Sequence, residues 1–366
     1  MFSHFKNRIL TGVFFICLSM PMIIGFLGPL KTESKEEKRT LAQWPKWIER
    51  KSIEHYFEQI STYTQDHFGL REHLIISDKK MKWVLNESPS SSVIRGEDNW
   101  LFLKIRDPLL SRQKYSTKTM MAFLEQRADY VANMHERLNK KGIIYRHIVA
   151  ANKMTVYPEY LPNIFKLTDI NASLSHFKNA LNNKSNKVTI YSDEVLAKYK
   201  SKNSSKTLYF KNDSHWNDLG AYQVFLATIK NLHANHSDLP LLIEDKDFTN
   251  NIEIGGDLAN LIGLPKQLTS IEPTTQFLDC AVRSGLSQIE RDLKLSKCGK
   301  NTTRIMVIGD SFATLLYQYF AESVGELMII DQATSRYRIH QLIDKYKPDV
   351  VIEEIVERNL SKPVIQ

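Results

Sequence analysis

Residues 304–313 read RIMVIGDSFA, an apolar run that passes through Gly309 and Asp310 to Ser311. The apolar part predicts a buried strand, and the residues after Ser311 have the apolar spacing of a helix. A glycine before the serine permits a tight turn and a close approach by a ligand. A serine at such a strand-to-helix turn lies at the carboxyl edge of a parallel sheet, where open α/β folds bind ligands. The stretch predicts an α/β fold with a candidate nucleophile at its edge, although a serine that only caps a helix gives the same pattern.

Short apolar runs alternate with amphipathic stretches through much of the remaining chain. Strands are predicted over 143–150, 188–191, 207–210, 327–330 and 349–355. Helices are predicted over 117–141, 172–181, 217–232 and 313–320, with a helical hairpin over 53–85 and a β-hairpin over 93–103. This alternation favours a mostly parallel sheet flanked by helices. Residues 234–300 read as loop-rich.

The N-terminus carries the strongest single signal for location. Residues 9–30 contain no charge and are long enough to cross a bilayer as a helix, and Lys6 and Arg8 before them favour a cytoplasmic N-terminus. A cleaved secretory signal is the alternative, but an A-x-A-like cleavage site is missing. A buried soluble helix is a weaker alternative. The predicted organisation is a cytoplasmic N-terminus, a transmembrane signal anchor, a juxtamembrane tether and one catalytic domain, over residues 1–8, 9–30, 31–50 and 51–366.

Composition and cysteine content fit an exported globular domain. Of 366 residues, 42% are apolar and 25% are charged, which excludes wholesale disorder, collagen and coiled coil. The net charge of +8 favours an anionic partner, either acidic lipid or acidic polysaccharide, because no nucleic-acid-binding motif is present. Cys280 and Cys298 are predicted to form a disulfide in an oxidising compartment, with two unrelated thiols as the alternative. The third cysteine, Cys17, falls in the apolar run.

A serine is a weak nucleophile until a base takes its proton, so a histidine is required. The best candidate among 11 histidines is in the segment Asp213-Ser214-His215-Trp216. In an extended turn, Asp213 and His215 project to the same side, so that the carboxylate can accept from Nδ1 and leave Nε2 free for Ser311. Trp216 is expected to wall the site. A surface loop with a solvated His215 is the alternative.

Other polar groups are weaker candidates. Lys153 and Tyr157 follow the predicted strand 143–150 and are candidate substrate contacts, although Tyr157 also fits a packing role. His233 and His236 are three apart but lack a nearby carboxylate or cysteine set, so no metal site is predicted. No cofactor-binding motif is found.

These residues carry a resemblance to a known family. Gly309-Asp310-Ser311 resembles the first block of the SGNH (GDSL-like) hydrolases. Asp213-x-His215-Trp216, placed before the serine, resembles the AlgX/AlgJ-type polysaccharide O-acetyltransferases, whose SGNH hydrolase-like domain is circularly permuted. Further matches over residues 40–366 are Asp66-x-Phe68-x-x-Arg71, Gly96-x-Asp98-x-Trp100, Lys153-x-x-x-Tyr157-Pro158, Gly256-Asp257-Leu258 and the terminal Pro348-Asp349 with Glu357-Arg358.

The resemblance implies an activity and its partners. Ser311 would carry an acetyl group, His215 would act as general base and acid, and Asp213 would orient His215. The acceptor would be an acidic exported polysaccharide, and the donor a multi-pass membrane acyltransferase of the bacterial inner membrane. The catalytic domain would be periplasmic or otherwise extracytoplasmic, without a cofactor. An acetylesterase and a non-catalytic polysaccharide-binding subunit remain alternatives.

One departure from the family pattern concerns the oxyanion hole. After the strand 349–355 an SGNH hydrolase has a Gly-x-Asn-Asp block, whereas this chain has Val356-Glu357-Arg358-Asn359. The second oxyanion donor is therefore open. The candidates for this role or for substrate binding are Arg358, Asn359 and the segment Arg336-Tyr337-Arg338. For each arginine a surface salt bridge is the alternative.

Overall fold

A computed structural model describes residues 2–27, 31–34, 39–47, 52–105, 116–166, 172–182, 184, 188–241, 245–278, 287–297 and 301–364. The chain divides into two compact units, residues 1–89 with 262–264, and residues 90–261 with 265–366. The single domain expected over 51–366 stays a prediction.

The described residues of the smaller unit form three helices and one short pair of strands. The helices are α1 (Phe2–Leu27), α2 (Ile53–Asp66) and α3 (Arg71–Val84), and the antiparallel strands are β1 (Glu33–Ser34) and β2 (Arg39–Thr40). The two helices expected over 53–85 are present, with a break at residues 67–70, and their packing as a hairpin stays a prediction. Within the described residues, α1 is the one helix long and apolar enough to cross a membrane. Its window Arg8–Gly25 has a mean hydropathy of 1.8, which makes it a candidate span by length and composition.

The larger unit is built around a seven-stranded sheet. The order of its strands is β6-β5-β13-β11-β12-β10-β9. In chain order these strands are β5 (Ile144–Ala150), β6 (Thr189–Tyr191), β9 (Ser287–Glu290), β10 (Leu293–Ser296), β11 (Arg304–Gly309), β12 (Glu326–Asp331) and β13 (Val350–Val356). The first five strands of the order pair in parallel, and β10 and β9 continue the sheet antiparallel. Five of the seven strands are parallel, as expected, and the sheet is mixed because the segment read as loop supplies the antiparallel strands β10 and β9 at one side.

Helices cover both faces of this sheet, as expected. They are α4 (Thr117–Asn139), α5 (Lys153–Val156), α6 (Asn163–Lys166), α7 (Ala172–Asn182), α8 (Ser192–Lys202), α9 (Asp218–Asn235), α10 (Asp257–Leu261), α11 (Ala313–Ser323) and α12 (Arg336–Tyr346). The core with α4, α7 and α12 lies on one face, and the core with α8, α9 and α11 lies on the other. Ile305 and Val307 belong to the second core, whereas Met306 and Ile308 belong to the first. This alternation explains why the strand reads as a continuous apolar run.

Two antiparallel ribbons complete the unit. They are β3 (Val93–Arg95) with β4 (Leu101–Leu103), which confirms the expected hairpin, and β7 (Thr249–Ile254) with β8 (Thr269–Thr274). Short 3₁₀ turns span Glu97–Asn99, Pro158–Tyr160 and Glu357–Asn359.

The strand predicted over 207–210 is wrong. Only one bridge forms there, between Tyr209 and Trp216. The N–H of Leu208 donates to the Tyr157 hydroxyl at 2.9 Å instead of to a neighbouring strand. The chain then reverses within residues 211–215, which leaves no length for a ladder.

Candidate active site

Ser311 lies exposed in the turn between β11 and α11, at the carboxyl end of the central strand. Gly309 makes this turn possible. A Cβ atom at Gly309 would lie 2.4 Å from the Cβ of Ala313 and 3.1 Å from Glu354 Oε2. A side chain at position 309 would therefore push apart α11 and β13, the two elements that hold the serine.

Hydrogen bonds of Asp310 connect the serine turn to β13. Its Oδ1 accepts from the N–H of Phe312 at 3.0 Å, and its Oδ2 accepts from the N–H of Val356 at 3.0 Å. Its own N–H donates to Glu354 Oε2 at 3.0 Å. Burial raises the pKa of Glu354 well above its ordinary value, and the charge of Asp310 raises it further.

The histidine segment meets this turn. Nε2 of His215 lies 2.8 Å from Ser311 Oγ, and Nδ1 of His215 lies 2.6 Å from Asp213 Oδ1. The N–H of His215 also donates to Asp213 Oδ1 at 3.0 Å, which fixes the two-residue turn. The structure thus brings the three predicted residues into one hydrogen-bonded chain, with geometry that permits proton transfer from the serine to the imidazole.

Asp213 is arranged to stay ionised. Burial by itself would raise its pKa, but the hydrogen bond and charge of His215 and the N–H of Asp257 hold that pKa at about 2. The N–H of Asp257 donates to Asp213 Oδ2 at 2.7 Å. A carboxylate in this state orients the imidazole tautomer and stabilises the imidazolium.

Lys153 supports the histidine segment from inside. Its buried Nζ donates to the carbonyl oxygens of Leu101 (2.6 Å), Phe210 (2.7 Å) and Lys211 (2.7 Å), and lies 3.1 Å from that of Asp213. Burial lowers the pKa of Lys153 to about 7. The expected contact between Lys153 and a substrate is wrong, because the side chain is only 3% exposed and its N–H groups donate to backbone carbonyl oxygens.

Aromatic rings form the floor of the site. The Phe312 ring lies 4.6 Å from the His215 ring and 5.0 Å from the Trp216 ring, measured between centroids. Trp216 is fully buried, so it supports the site from below and does not form an exposed wall. The guanidinium of Arg358 lies 5.2 Å from the Phe312 centroid, and the amide of Asn359 approaches Asp310 Oδ2 to 3.5 Å. Arg358 and Asn359 are therefore the oxyanion candidates that adjoin the serine turn.

The remaining predicted contacts lie elsewhere. Tyr157 is buried against Trp100 at 4.7 Å, which matches its packing alternative. Arg336 Nη1 donates to Glu353 Oε1 at 2.7 Å. Successive strand residues face opposite sides, so Glu353 and Glu354 point into different cores and Arg336 lies on the face away from the serine turn.

The other two members of this segment are Tyr337 and Arg338. Arg338 pairs with Glu290 at 2.6 Å and Asp292 at 3.3 Å, which is the salt-bridge alternative. Tyr337 is exposed. Cys280 and Cys298 lie outside the described residues.

Three groups of this site have atoms close enough to share an ion. Among the described residues, Asp213, His215 and Asp257 offer ligand atoms within 4.8 Å of one another. Nδ1 of His215, both oxygens of Asp213 and both oxygens of Asp257 each take part in a hydrogen bond within the protein.

Sequence reasoning missed the supporting acids. Asp310, Glu354 and Asp257 were not predicted as site residues, although Asp310 adjoins the serine and Asp257 follows two glycines. The two adjacent glycines are the sequence signal that points to Asp257, because paired glycines are typical of an unusual backbone turn. In the structure Gly255 and Gly256 both have positive φ, at +83° and +125°.

The chain is similar to several solved structures. Solved structures with similar folds include PatB1 of Bacillus cereus (TM-score 0.53, 15% identity, 75% of this chain and 98% of that chain) and the O-acetyltransferase domain of Pseudomonas putida AlgJ (0.49, 17%, 74% and 92%). Pseudomonas aeruginosa AlgX is also similar (0.47, 13%, 74% and 65%). At these identities the likeness to PatB1 shows the fold alone. No curated protein sequence matches the chain.

Residues 93–328, more than half of the chain, match the family described as SGNH hydrolase-like domain, acetyltransferase AlgX. This span includes β11 and the whole hydrogen-bonded chain from Asp213 to Ser311. The protein therefore belongs to the AlgX family of SGNH hydrolase-like acetyltransferase domains.

Proposed function

We propose that this protein O-acetylates an exported bacterial polysaccharide through an acetyl-serine intermediate on Ser311. The observation that carries the proposal is the continuous hydrogen-bonded chain Asp213–His215–Ser311 at the carboxyl edge of the sheet, within an AlgX-family domain. The order of these residues along the chain supports the circularly permuted arrangement that the sequence resemblance implies.

The first half-reaction loads the serine. Ser311 Oγ attacks the carbonyl carbon of the acetyl donor while Nε2 of His215 takes the hydroxyl proton. The C–O bond to the donor breaks, and His215 returns the proton to the departing oxygen. The backbone N–H of Ser311, together with Arg358 or Asn359 beside the turn, is proposed to stabilise the oxyanion.

The second half-reaction passes the acetyl group on. A sugar hydroxyl replaces the donor, His215 takes its proton, and the new ester bond forms as the bond to Ser311 Oγ breaks. Ser311 regains its proton from His215. Asp213 stays charged throughout, because its pKa is held at about 2.

The partners and location belong to the same proposal. We infer that residues 9–30 anchor the chain in the inner membrane, that the larger unit is extracytoplasmic, and that a multi-pass acyltransferase delivers acetyl groups to it. The apolar helix α1 supports the anchor, and the net charge of +8 supports an acidic polymer as acceptor.

The test incubates purified full-length protein with an acetyl ester, with and without oligosaccharide. We expect an acetyl group on Ser311 by mass spectrometry, and acetylated sugar when the acceptor is present. Release of acetate alone at high acceptor concentration would instead identify an acetylesterase, which the solvent exposure of Ser311 makes the second candidate. In cells, full polymer acetylation by Ser311→Ala would identify a non-catalytic binding subunit.

A further inference from the structure

A second carboxylate adjoins the histidine, and the reaction steps above do not use it. Asp257 is the first residue of α10 and binds the segment that carries the histidine. Its Oδ1 accepts from the N–H of Ser214 at 2.7 Å and its Oδ2 accepts from Ser214 Oγ at 2.5 Å. Its own N–H donates to Asp213 Oδ2 at 2.7 Å. Three hydrogen bonds therefore tie Asp257 to the two residues before His215.

The backbone before Asp257 is shaped for this contact. Gly256 has a φ of +125°, and a Cβ there would lie 2.4 Å from the carbonyl oxygen of Asn212 and 3.1 Å from the Cβ of Asp213. The N–H of Ala259 donates to the same Asn212 oxygen at 3.2 Å. Only a glycine allows the two backbones to approach so closely, so the position of Asp257 is fixed by the fold.

The carboxylate also lies within electrostatic reach of the imidazole. Asp257 Oδ2 lies 3.8 Å from Nδ1 of His215, whereas Asp213 Oδ1 lies 2.6 Å from the same nitrogen. Burial raises the pKa of Asp257, and the charge of Asp213 raises it further. The two donors of Ser214 and the charge of His215 oppose these effects in part, and the net shift in the pKa of Asp257 is upward.

We propose that Asp257 is a positioning residue of this site, which holds Asp213 and Ser214 in place and adds a second negative charge beside the Nδ1 edge of His215. The proposal rests on the proposed function, in which the imidazole gains a proton in each half-reaction. A negative charge at this distance stabilises the positive charge that the imidazole gains in each half-reaction.

Other charged groups surround the same ring. Lys153 donates to the backbone of the histidine segment, Arg358 lies over the Phe312 ring on which His215 packs, and Asp310 holds the serine turn. The substitution Asp257→Asn alters none of these three groups. It removes the charge of Asp257 and one of the two acceptors that bind Ser214.

The test measures how fast an aryl sulfonyl fluoride modifies Ser311 in full-length protein between pH 4 and 9. In this reaction the Oγ–S bond forms, the S–F bond breaks, fluoride leaves and His215 takes the proton. In Asp257→Asn we expect the acidic limb of the rate profile to move to lower pH by about half to one unit, with a slower plateau. A variant that only loosened the structure would slow the reaction without moving the limb.

Two further variants isolate the charge. Glu253→Gln removes a negative charge from β7, the exposed strand that leads to the same loop, and we expect its limb to match wild type. Asp257→Glu keeps the charge on a longer side chain, and we expect an unmoved limb with a plateau at least about threefold slower.

The outcomes separate this proposal from the proposed function. Absence of labelling in wild type overturns both. Labelled wild type with an unmoved limb in Asp257→Asn overturns the role of Asp257 alone. If Asp257→Asn does not fold, Asp257→Glu decides, and wild-type rates at every pH in that variant overturn the role.

Discussion

Ser311 and His215 are 96 positions apart in the chain, yet Oγ and Nε2 are separated by 2.8 Å. At the residue scale, the chemistry depends on two turns that meet. One turn is held by Gly309 and Asp310 against β13, and the other is held by the hydrogen bonds of Asp213. One turn carries the candidate nucleophile and the other carries the candidate base. Displacing either turn therefore separates Ser311 from His215 and prevents the proton transfer between them.

The first prediction concerns the hydrogen-bonded chain. Ser311→Ala, His215→Ala and Asp213→Asn should each reduce acetyl transfer by roughly three to four orders of magnitude, because the three groups act as a unit. The double variants should lose little more than the single ones. Steady-state rates with an acetyl ester and oligosaccharide measure this effect.

A serine outside the site provides the control. Ser201→Ala removes an exposed hydroxyl that donates to the Lys198 carbonyl on α8, and should leave the rates unchanged. Additive losses across the three site residues would contradict a common proton-transfer chain.

The second prediction concerns pH. The folded-state pKa of Asp213 is lowered to about 2, so its charge is retained above that value and is lost only as the pH falls through it. Activity lost between neutral pH and about pH 4 therefore does not reflect loss of the Asp213 charge. If His215 is the base, we expect a tenfold loss per unit below the acidic limb. A rate profile between pH 4 and 9 checks this, and a flat profile would contradict His215 as the base.

At the scale of elements, the histidine segment is held from two sides. Lys153 at the start of α5 binds carbonyl oxygens on β4 and on residues 210–213, so that one ammonium joins three stretches of chain. The Gly256–Asp257 turn binds the same segment from its other side. Such support explains how a loop without regular strand pairing keeps an imidazole in place.

The third prediction tests the buried ammonium. Lys153→Met removes the donor to these carbonyl groups, and should lower the free energy of unfolding by about 3 kcal/mol, because buried acceptors lose their partner. Activity should fall as well, since the segment 210–213 loses its anchor. Chemical denaturation and acetyl-ester cleavage measure the two effects.

A surface lysine is the matched control. Lys140 is exposed and pairs with Glu136 one helical turn away, so Lys140→Met should change neither quantity measurably. Wild-type stability in Lys153→Met would show that these hydrogen bonds have little net effect.

At the scale of the whole molecule, the chain combines an apolar N-terminal helix with an α/β unit that carries the site. The mixed sheet places the carboxyl ends of β11 and β13 side by side, and helices cover the hydrophobic core on each face of the sheet. The site therefore lies on a rigid edge of the sheet, while α1 is the candidate for attachment to a membrane.

The fourth prediction belongs to this scale. Cellular protein should fractionate with membranes and keep its N-terminal segment, because residues 9–30 lack an A-x-A-like cleavage site. Replacing residues 1–30 by a cleavable secretory signal should release the protein into the soluble fraction. Intact mass after membrane extraction measures the retained segment, and a mass that lacks it would identify a cleaved signal.

The sequence by itself determined most of the helices and the parallel strands, and it named the candidate reacting groups. The spacing of apolar residues along the chain predicts which positions are buried. It therefore predicted β5, β11, β13 and most helices without any knowledge of tertiary contacts. Asp213, His215 and Ser311 could be named because nucleophilic catalysis restricts which residue types can act together, and because the two-residue spacing of Asp213 and His215 sets their geometry locally.

Only the tertiary structure decided which distant groups share an environment. Lys153 reads as a polar contact, but burial turns it into an internal support. Arg336 follows a strand near the site, but the alternation of Glu353 and Glu354 across β13 places its partner on the other face. Asp257 joins the histidine only through a close backbone approach at Gly256. Hydrogen bonds between remote segments depend on distances that a linear pattern does not contain, so the supporting groups emerge only once the chain is folded.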